Sequence, residues 1–226
     1  MESDRPLSYL HLSMLETFKK LPRKKQIAIL DAAAAVFAAK GYYQANVGEI
    51  CRRAGISNGA LYKYFKNKED LYISVFDRIV HLFSIDPQRF SDADKSVYDM
   101  LEDLLKDIVR LARRNADYIS VYFELGLPAM SKMAPLLSER IEEPAKKMWV
   151  NLVEKGKDSG DIDRRIDSNV AAFVIDNHVM LFMFSCVSEH YDWRFGSYFG
   201  KRKKLLSGDT KIKIVLKSIK MLLGTH

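Results

Sequence analysis

The sequence has few of the residues that break helices or build disulfide scaffolds. Its 226 residues include only 6 prolines, 11 glycines and 2 cysteines. Two cysteines cannot form a disulfide framework, and without a C-x-x-C pair they do not indicate a zinc site. Runs of β-branched residues are also rare. This composition favours helices over strands and a reducing environment.

Long apolar runs are absent as well. The longest nearly unbroken run, residues 179–187, contains Ser185 and is too short to cross a bilayer. The first 15 residues are polar and interrupted, unlike a secretory signal. We therefore expect a cytoplasmic protein without membrane association. A hydrophobic fraction of 48% is enough for a sizeable folded core.

The third feature that we do not find is a sequence motif of a catalytic site. We identify no nucleophile elbow, no H-E-x-x-H pair, no phosphate-binding loop and no dinucleotide fingerprint. His178 has no second His or Cys at a ligand spacing on its helix, so a metal site there is not expected. The sequence predicts a protein that is not an enzyme and needs no cofactor or metal.

What the sequence does contain is helical periodicity, which predicts an all-α fold. Three regions are expected: an N-terminal helical arm (1–22), a first domain (23–84) and a larger helical domain (85–226). Ser91, Asp94 and Asp167 or Ser168 are expected to begin helices, and Pro135 and Pro144 to kink or break one. The predicted helices span residues 7–21, 23–40, 47–54, 58–65, 69–84, about 91–111, 115–127, 130–158, 168–191 and 208–223, with a loop between the last two.

The most informative segment is residues 45–68, where two short helices joined by a glycine-containing turn are predicted. Asn46 is placed to cap the first helix, with Glu49 completing a capping box. Gly55 permits the tight reversal and Ser57 caps the second helix. This is the pattern of a helix-turn-helix. Its small core is expected to consist of Ile50, Ala54, Ile56 and Leu61.

The second helix of this motif is expected to enter a DNA major groove. Asn58 can form paired hydrogen bonds with an adenine edge, and the small residues beside it let the backbone approach. Hydroxyl and ammonium groups nearby suit phosphate oxygens, as do the helix N-termini near residues 47 and 68. The expected DNA contacts are Asn46, Val47, Gly48, Ser57, Asn58, Gly59, Ala60, Tyr62, Lys63, Tyr64 and Lys68.

Charge supports this interpretation. Residues 23–70 contain nine Lys or Arg and four Asp or Glu, a net charge of +5 out of +7 for the whole chain. Most of the positive charge therefore lies in about a fifth of the length, as expected of a region that binds a polyanion. The alternative is a helical protein-interaction adaptor that does not bind DNA.

Residues 23–83 resemble the DNA-binding domain of the TetR family of bacterial regulators. The matching features are A-A-x-x-F-A-x-K-G-Y, V-G-E-I-C-R-R-A-G-I-S and the core G-x-S-x-G-x-L-Y-x-Y-F-x-x-K-x-x-L. Ala45, Gly48 and Ala60 depart from the family pattern, so base reading is expected to depend on Asn58 and Lys63. Cys51, where alanine is usual, is expected to be a small buried thiol.

The resemblance implies a homodimer whose larger helical domain binds a ligand. Two interpretations of the aromatic and sulfur-containing residues there stay open, an apolar pocket or ordinary core. Asn177 and His178 can anchor a ligand or bond a neighbouring helix or subunit. By position, helices 167–191 and 208–223 resemble the family's dimerisation pair. The candidate ligand contacts are Tyr118, Tyr122, Phe123, Met133, Trp149, Phe173, Asn177 and His178.

The expected mechanism is repression. A dimer blocks transcription from a near-palindromic double-stranded DNA operator, and a small, largely apolar effector favours an arrangement in which the two heads no longer fit the grooves. The helix spanning residues 69–84 is expected to tilt in that change.

Overall fold

A computed structural model describes residues 15–83, 90, 92, 94–200 and 206–225. In that part of the chain every regular element is helical, which confirms the all-α prediction. A 3-10 turn, Pro128–Met130, accompanies the α-helices. The helices are α1 (Glu16–Lys19), α2 (Arg23–Gln44), α3 (Val47–Ala54), α4 (Asn58–Tyr62), α5 (Lys68–Phe83), α6 (Val97–Glu124), α7 (Ala134–Ser159), α8 (Ser168–Ser185), α9 (Glu189–Phe199) and α10 (Gly208–Leu223).

Local capping signals fix the ends of the short helices. Asn46 Oδ1 accepts the Gly48 N–H at 2.7 Å and begins α3, which ends at Gly55 with a φ of 66°. Ser57 Oγ accepts the Ala60 N–H at 3.1 Å and begins α4. The capping box predicted for Glu49 is wrong, because its carboxylate pairs with Lys40 instead.

Three longer helices differ from the prediction. α6 is continuous where two helices were expected, and Asn115 forms only a kink within it (φ −134°, ψ 35°). Its start is at Val97, because Ser96 Oγ accepts the Asp99 N–H; Ser91 lies outside the described residues. Pro144 is inside α7 without ending it. α8 is shorter than predicted and ends at Ser185.

The predicted loop after α8 contains a helix, α9, that the sequence analysis missed. Gly196 and Gly200 indicated a loop, but Gly196 lies within α9 and Gly200 follows its last residue. Glu189 and Asp192 in the first turn are the signal that favours a helix, since acidic side chains stabilise helix N-termini. Among the described helices none alone has the length and hydropathy of a membrane span, and the α8–α9 pair reaches that hydropathy only across a bend of 111°.

The chain forms two compact units. The first comprises the described residues of 1–84 together with 117–137, and the second those of 85–116 and 138–226. The division near residue 84 was expected, whereas the return of 117–137 to the first unit was not. Because α6 spans residues 97–124, its first part belongs to the second unit and its last turns to the first.

Candidate nucleic-acid interface

The helix-turn-helix closes around a small apolar core. Ile50 of α3 and Leu61 of α4 are completely or almost completely buried, as the sequence predicted. Ala54 and Ile56 are only half-buried, because they lie at the turn itself. Cys51 is buried as expected, and burial raises the pKa of its thiol, which keeps it protonated and unreactive.

The outer surface of α4 carries the residues expected to read DNA. Asn58, Gly59 and Lys63 are exposed, and Tyr62 exposes 52% of its surface. No atom lies within 4 Å of the position that a Cβ on Gly59 would take, so a side chain there would project into open space. Asn46 and Ser57 are exposed at the starts of the two helices, while Val47, Gly48, Ala60 and Tyr64 are half-buried.

The string Gly55–Gly59 does match the G-x-S-x-G of a nucleophile elbow, which the sequence analysis overlooked. An elbow requires a serine between a strand and a helix. Ser57 instead follows α3, and its Oγ caps α4 by accepting the Ala60 N–H. The match therefore indicates a helix cap and not an acyl-transfer site.

The described end of the N-terminal arm supports the C-terminal end of α4. The Leu15 N–H donates to Tyr64 O at 3.1 Å, and Thr17 Oγ1 donates to Lys63 O. The Phe18 ring is fully buried, with its centroid 4.8 Å from that of Phe65. α4 is only five residues long, too short to be stable alone, so these contacts help fix its orientation.

Lys68 has a structural role that the sequence analysis did not foresee. Its Nζ donates to Tyr42 O at 2.8 Å, to Tyr43 O at 3.1 Å and to Ala45 O at 3.3 Å. It also lies 4.8 Å from the centre of the Tyr42 ring, a cation–π distance. The ammonium thus satisfies the carbonyls at the end of α2, and its expected phosphate contact stays a prediction.

Glu124, the last residue of α6, holds the same turn through its carboxylate. Oε1 accepts the Tyr42 N–H at 2.7 Å, and Oε2 accepts the Tyr72 hydroxyl at 3.4 Å. Burial and the Glu124 charge raise the pKa of the Tyr72 hydroxyl, so it remains a donor. Gly41 has a φ of 72°, and a Cβ there would be 2.9 Å from Glu124 Oε1. The turn between α2 and α3 is therefore held by the Lys68 ammonium and by the buried Glu124 carboxylate.

The two helix N-termini expected to attract phosphate are not equivalent. The first turn of α5 contains Glu69 and Asp70, which already complement its dipole. Asn67 Oδ1 also accepts the Asp70 N–H at 2.8 Å. α3 has one acid in its first turn, Glu49, and that carboxylate pairs with Lys40. The start of α3 is therefore the better candidate for a phosphate contact.

Comparison with known proteins agrees with this geometry. Residues 29–75, which include most of α2 and all of the helix-turn-helix, match the family model of "Bacterial regulatory proteins, tetR family". Over this segment the chain is similar to the TetR family. This confirms the family resemblance found in the sequence.

Two curated relatives are similar to this chain over a short segment. The fatty acid metabolism regulator protein of Bacillus subtilis is 49% identical over 57 residues, which cover 25% of this chain and 29% of that protein. The transcriptional activator FasR of Mycolicibacterium smegmatis is 42% identical over 62 residues, covering 27% and 28%. The aligned segments thus span less than a third of these relatives.

The fold is shared over a much longer stretch. The crystal structure of FadR from Bacillus subtilis in complex with stearoyl-CoA superposes with a TM-score of 0.64 and covers 88% of this chain and 99% of that one. Sequence identity in that comparison is 24%. The similarity therefore shows a common fold.

The eight candidate ligand contacts are divided between the two units. Tyr118, Tyr122, Phe123 and Met133 belong to the first unit, and Trp149, Phe173, Asn177 and His178 to the second. Tyr118 is buried and donates to Asp31 Oδ1 at 2.7 Å, and burial followed by the Asp31 charge raises the pKa of its hydroxyl. Met133 is buried, Tyr122 half-buried and Phe123 36% exposed.

In the second unit these candidates have internal partners or face outward. Trp149 is buried and its Nε1 donates to Asp176 Oδ1 at 2.8 Å. Phe173 is 70% exposed on α8, and its ligand contact stays a prediction. Asn177 Nδ2 donates to Phe173 O at 2.8 Å, and His178 Nδ1 is 2.7 Å from Val174 O. Both half-buried polar groups thus bond their own helix.

Proposed function

We propose that the protein is a transcriptional regulator that binds double-stranded DNA through the outer face of α4. The observation that carries this proposal is the exposed set of Asn58, Gly59, Tyr62 and Lys63 on a helix-turn-helix whose core and turn are fixed by buried contacts. An exposed amide and two small or polar neighbours suit base edges, and the exposed cation suits a phosphate. A net charge of +5 over residues 23–70 supports the same partner.

The regulator acts as a homodimer in this proposal, and α8 supports it. Among the eighteen residues of α8 the only Asp, Glu, Lys or Arg is Asp176, which accepts the Trp149 N–H. Val170, Phe173 and Leu181 are exposed on this helix. A water-exposed helix face normally carries charges, so an apolar, uncharged one indicates a surface that another subunit covers. α10, which packs against α8, belongs to the same proposed interface.

The proposed effector is a small, largely apolar molecule that releases the protein from its operator. Two observations support an acyl ligand: the relative from Bacillus subtilis is named as a fatty acid metabolism regulator, and the similar structure contains stearoyl-CoA. α6 connects the two units as one helix, because it begins in the second unit and ends at Glu124 in the first. Glu124 accepts the Tyr42 N–H beside α3, so a shift of α6 on effector binding would reach the helix-turn-helix. The effector acts only through its different affinities for the two arrangements.

Selection from a pool of random duplexes of about 30 base pairs tests the function. We expect enrichment of a near-palindrome with half-sites about 10 base pairs apart, which matches two successive major grooves. Binding of the selected duplex should weaken steeply with salt, because each phosphate contact releases counterions. A purified protein that enriches no sequence and shows no salt-dependent binding would instead support the adaptor alternative.

In the same assay stearoyl-CoA should weaken duplex binding, and undiminished affinity would contradict the acyl assignment.

A further inference from the structure

The exposed apolar side chains of the second unit are confined to three consecutive helices. All eight large apolar residues that are exposed in its described part lie on α8, α9 or α10, and α6 and α7 contribute none there. Such clustering marks an interaction surface, since isolated apolar residues would be scattered. The eight are Val170, Phe173, Leu181, Trp193, Tyr198, Phe199, Met221 and Leu222.

α9 is the most unusual of these helices. Five of its eleven residues are aromatic, yet none of the eleven is buried. Trp193 exposes 66%, Tyr198 72% and Phe199 56% of their surfaces. Aromatic side chains gain the most from burial, so a helix with this composition is stable as part of a covered surface.

The position of α9 is nevertheless specified by a buried ion pair. Lys211 of α10, only 5% exposed, pairs with Asp192 of α9 and donates to Ser185 O at 2.9 Å. Its Nζ also lies 5.8 Å from the centre of the Phe195 ring. A buried charge is retained when it is paired and hydrogen-bonded, and here it fixes α9 to α10. The exposed aromatic residues thus lie on a helix that is held in one place.

Between α9 and the other two helices lies an open groove of about 330 Å³. α8 contributes His178 and Leu181 to its lining, α9 contributes Arg194 and Tyr198, and α10 contributes Ile214. This volume corresponds to roughly two large apolar side chains at protein packing density. The groove shares Leu181 with the exposed face of α8, so it continues the surface assigned above to the dimer.

We propose that α9 is an interface arm that packs against a second copy of this chain, with side chains of that copy filling the groove. The inference rests on the proposed homodimer and deepens it, because each subunit would then contribute three helices and not two. The exposed area of the eight residues is roughly 1,000 Å², and a stable interface buries about 800 Å² per partner. The low charge of α8 suits an isologous contact, in which like charges would otherwise face each other.

Intrinsic fluorescence tests this directly, because the chain has two tryptophans and only Trp193 is exposed. In a Trp149→Phe variant the emission reports on Trp193 alone. When the protein is concentrated until monomers form dimers, we expect this emission to shift to the blue and its quenching by acrylamide to decrease. No change while sedimentation shows dimer formation would overturn the arm, and so would a shift that appears only with anionic phospholipid vesicles.

Sedimentation equilibrium of a Trp193→Ser, Tyr198→Ser double variant provides the second measurement. Both side chains are exposed in the single chain, so the fold should be retained, which circular dichroism checks. We expect the dimer dissociation constant to rise about 30-fold, as for two interface aromatics. Leu136→Ser, which changes a 49% exposed apolar residue outside the patch, is the control and should leave the dissociation constant unchanged. If the double variant dimerises like the wild type, the proposal for α9 is wrong and the proposed homodimeric regulator stands. If the wild type is monomeric at every concentration, both proposals are wrong.

Discussion

Replacing Lys68 by Met should destabilise the first unit by about 2 kcal/mol, whereas Lys63→Met should leave its stability unchanged. Methionine keeps the length of the side chain but removes the donor that now satisfies Tyr42 O, Tyr43 O and Ala45 O. Loss of the charged donor leaves these carbonyls without their partner, and for the part-buried bonds to Tyr42 O and Ala45 O this is costlier than losing a solvated group. Chemical denaturation of the two variants measures the difference.

Lys63 is the matched control because it is exposed immediately after α4 and lies five residues from Lys68. In the DNA-binding assay Lys63→Met should lower the salt dependence by about one counterion, as expected for one lost phosphate contact. The structural role of Lys68 would be contradicted by the reverse result. In that case Lys68→Met would unfold at the wild-type denaturant concentration and lose one counterion from its salt dependence.

Gly41→Ala should destabilise the first unit by about 3 kcal/mol. The φ of 72° is unfavourable for alanine, and the new Cβ would be 2.9 Å from Glu124 Oε1. Displacing this buried carboxylate also costs its bond with the Tyr42 N–H. The control is Gly59→Ala, where nothing lies within 4 Å of the added Cβ and φ is not positive, so its stability should match or slightly exceed that of the wild type.

A double-mutant cycle separates the two causes of this destabilisation. Glu124→Ala alone removes the acceptor, and in the Gly41→Ala background it also removes the close contact. The combined loss should therefore be smaller than the sum of the single losses. Strict additivity would mean that Gly41 and Glu124 do not act on the same turn, contrary to the geometry described above.

The parts of the fold that were predictable from sequence are those specified by neighbouring residues. Asn46, Ser57 and Asp167 all cap helices as expected, since each side chain bonds a backbone N–H only two or three residues away. The bounds of α3 and α10 agree with the prediction for the same reason. The role of Gly55 at the end of α3 was also predictable, because a left-handed φ at a helix end favours glycine.

The parts that were not predictable depend on residues distant in the chain. Glu124 reaches a backbone N–H that is 82 residues away, and no local pattern indicates such a contact. A phosphate contact was predicted for Lys68 because its ammonium group and its position in the sequence suit that role as well as they suit the bonds to backbone carbonyls. α9 was missed because its glycines outweighed its acidic first turn, and its packing is set by Lys211 on another helix.

The account depends on α4 entering the DNA groove, and the binding of Gly59→Met to the selected duplex tests this most directly. The added side chain has open space around it, so the free energy of unfolding should equal that of Gly59→Ala. If α4 lies against base edges, the methionine must be accommodated there, and we expect affinity to fall at least about 30-fold relative to Gly59→Ala. Equal affinities of the two variants for the selected duplex would contradict the placement of α4 in the groove.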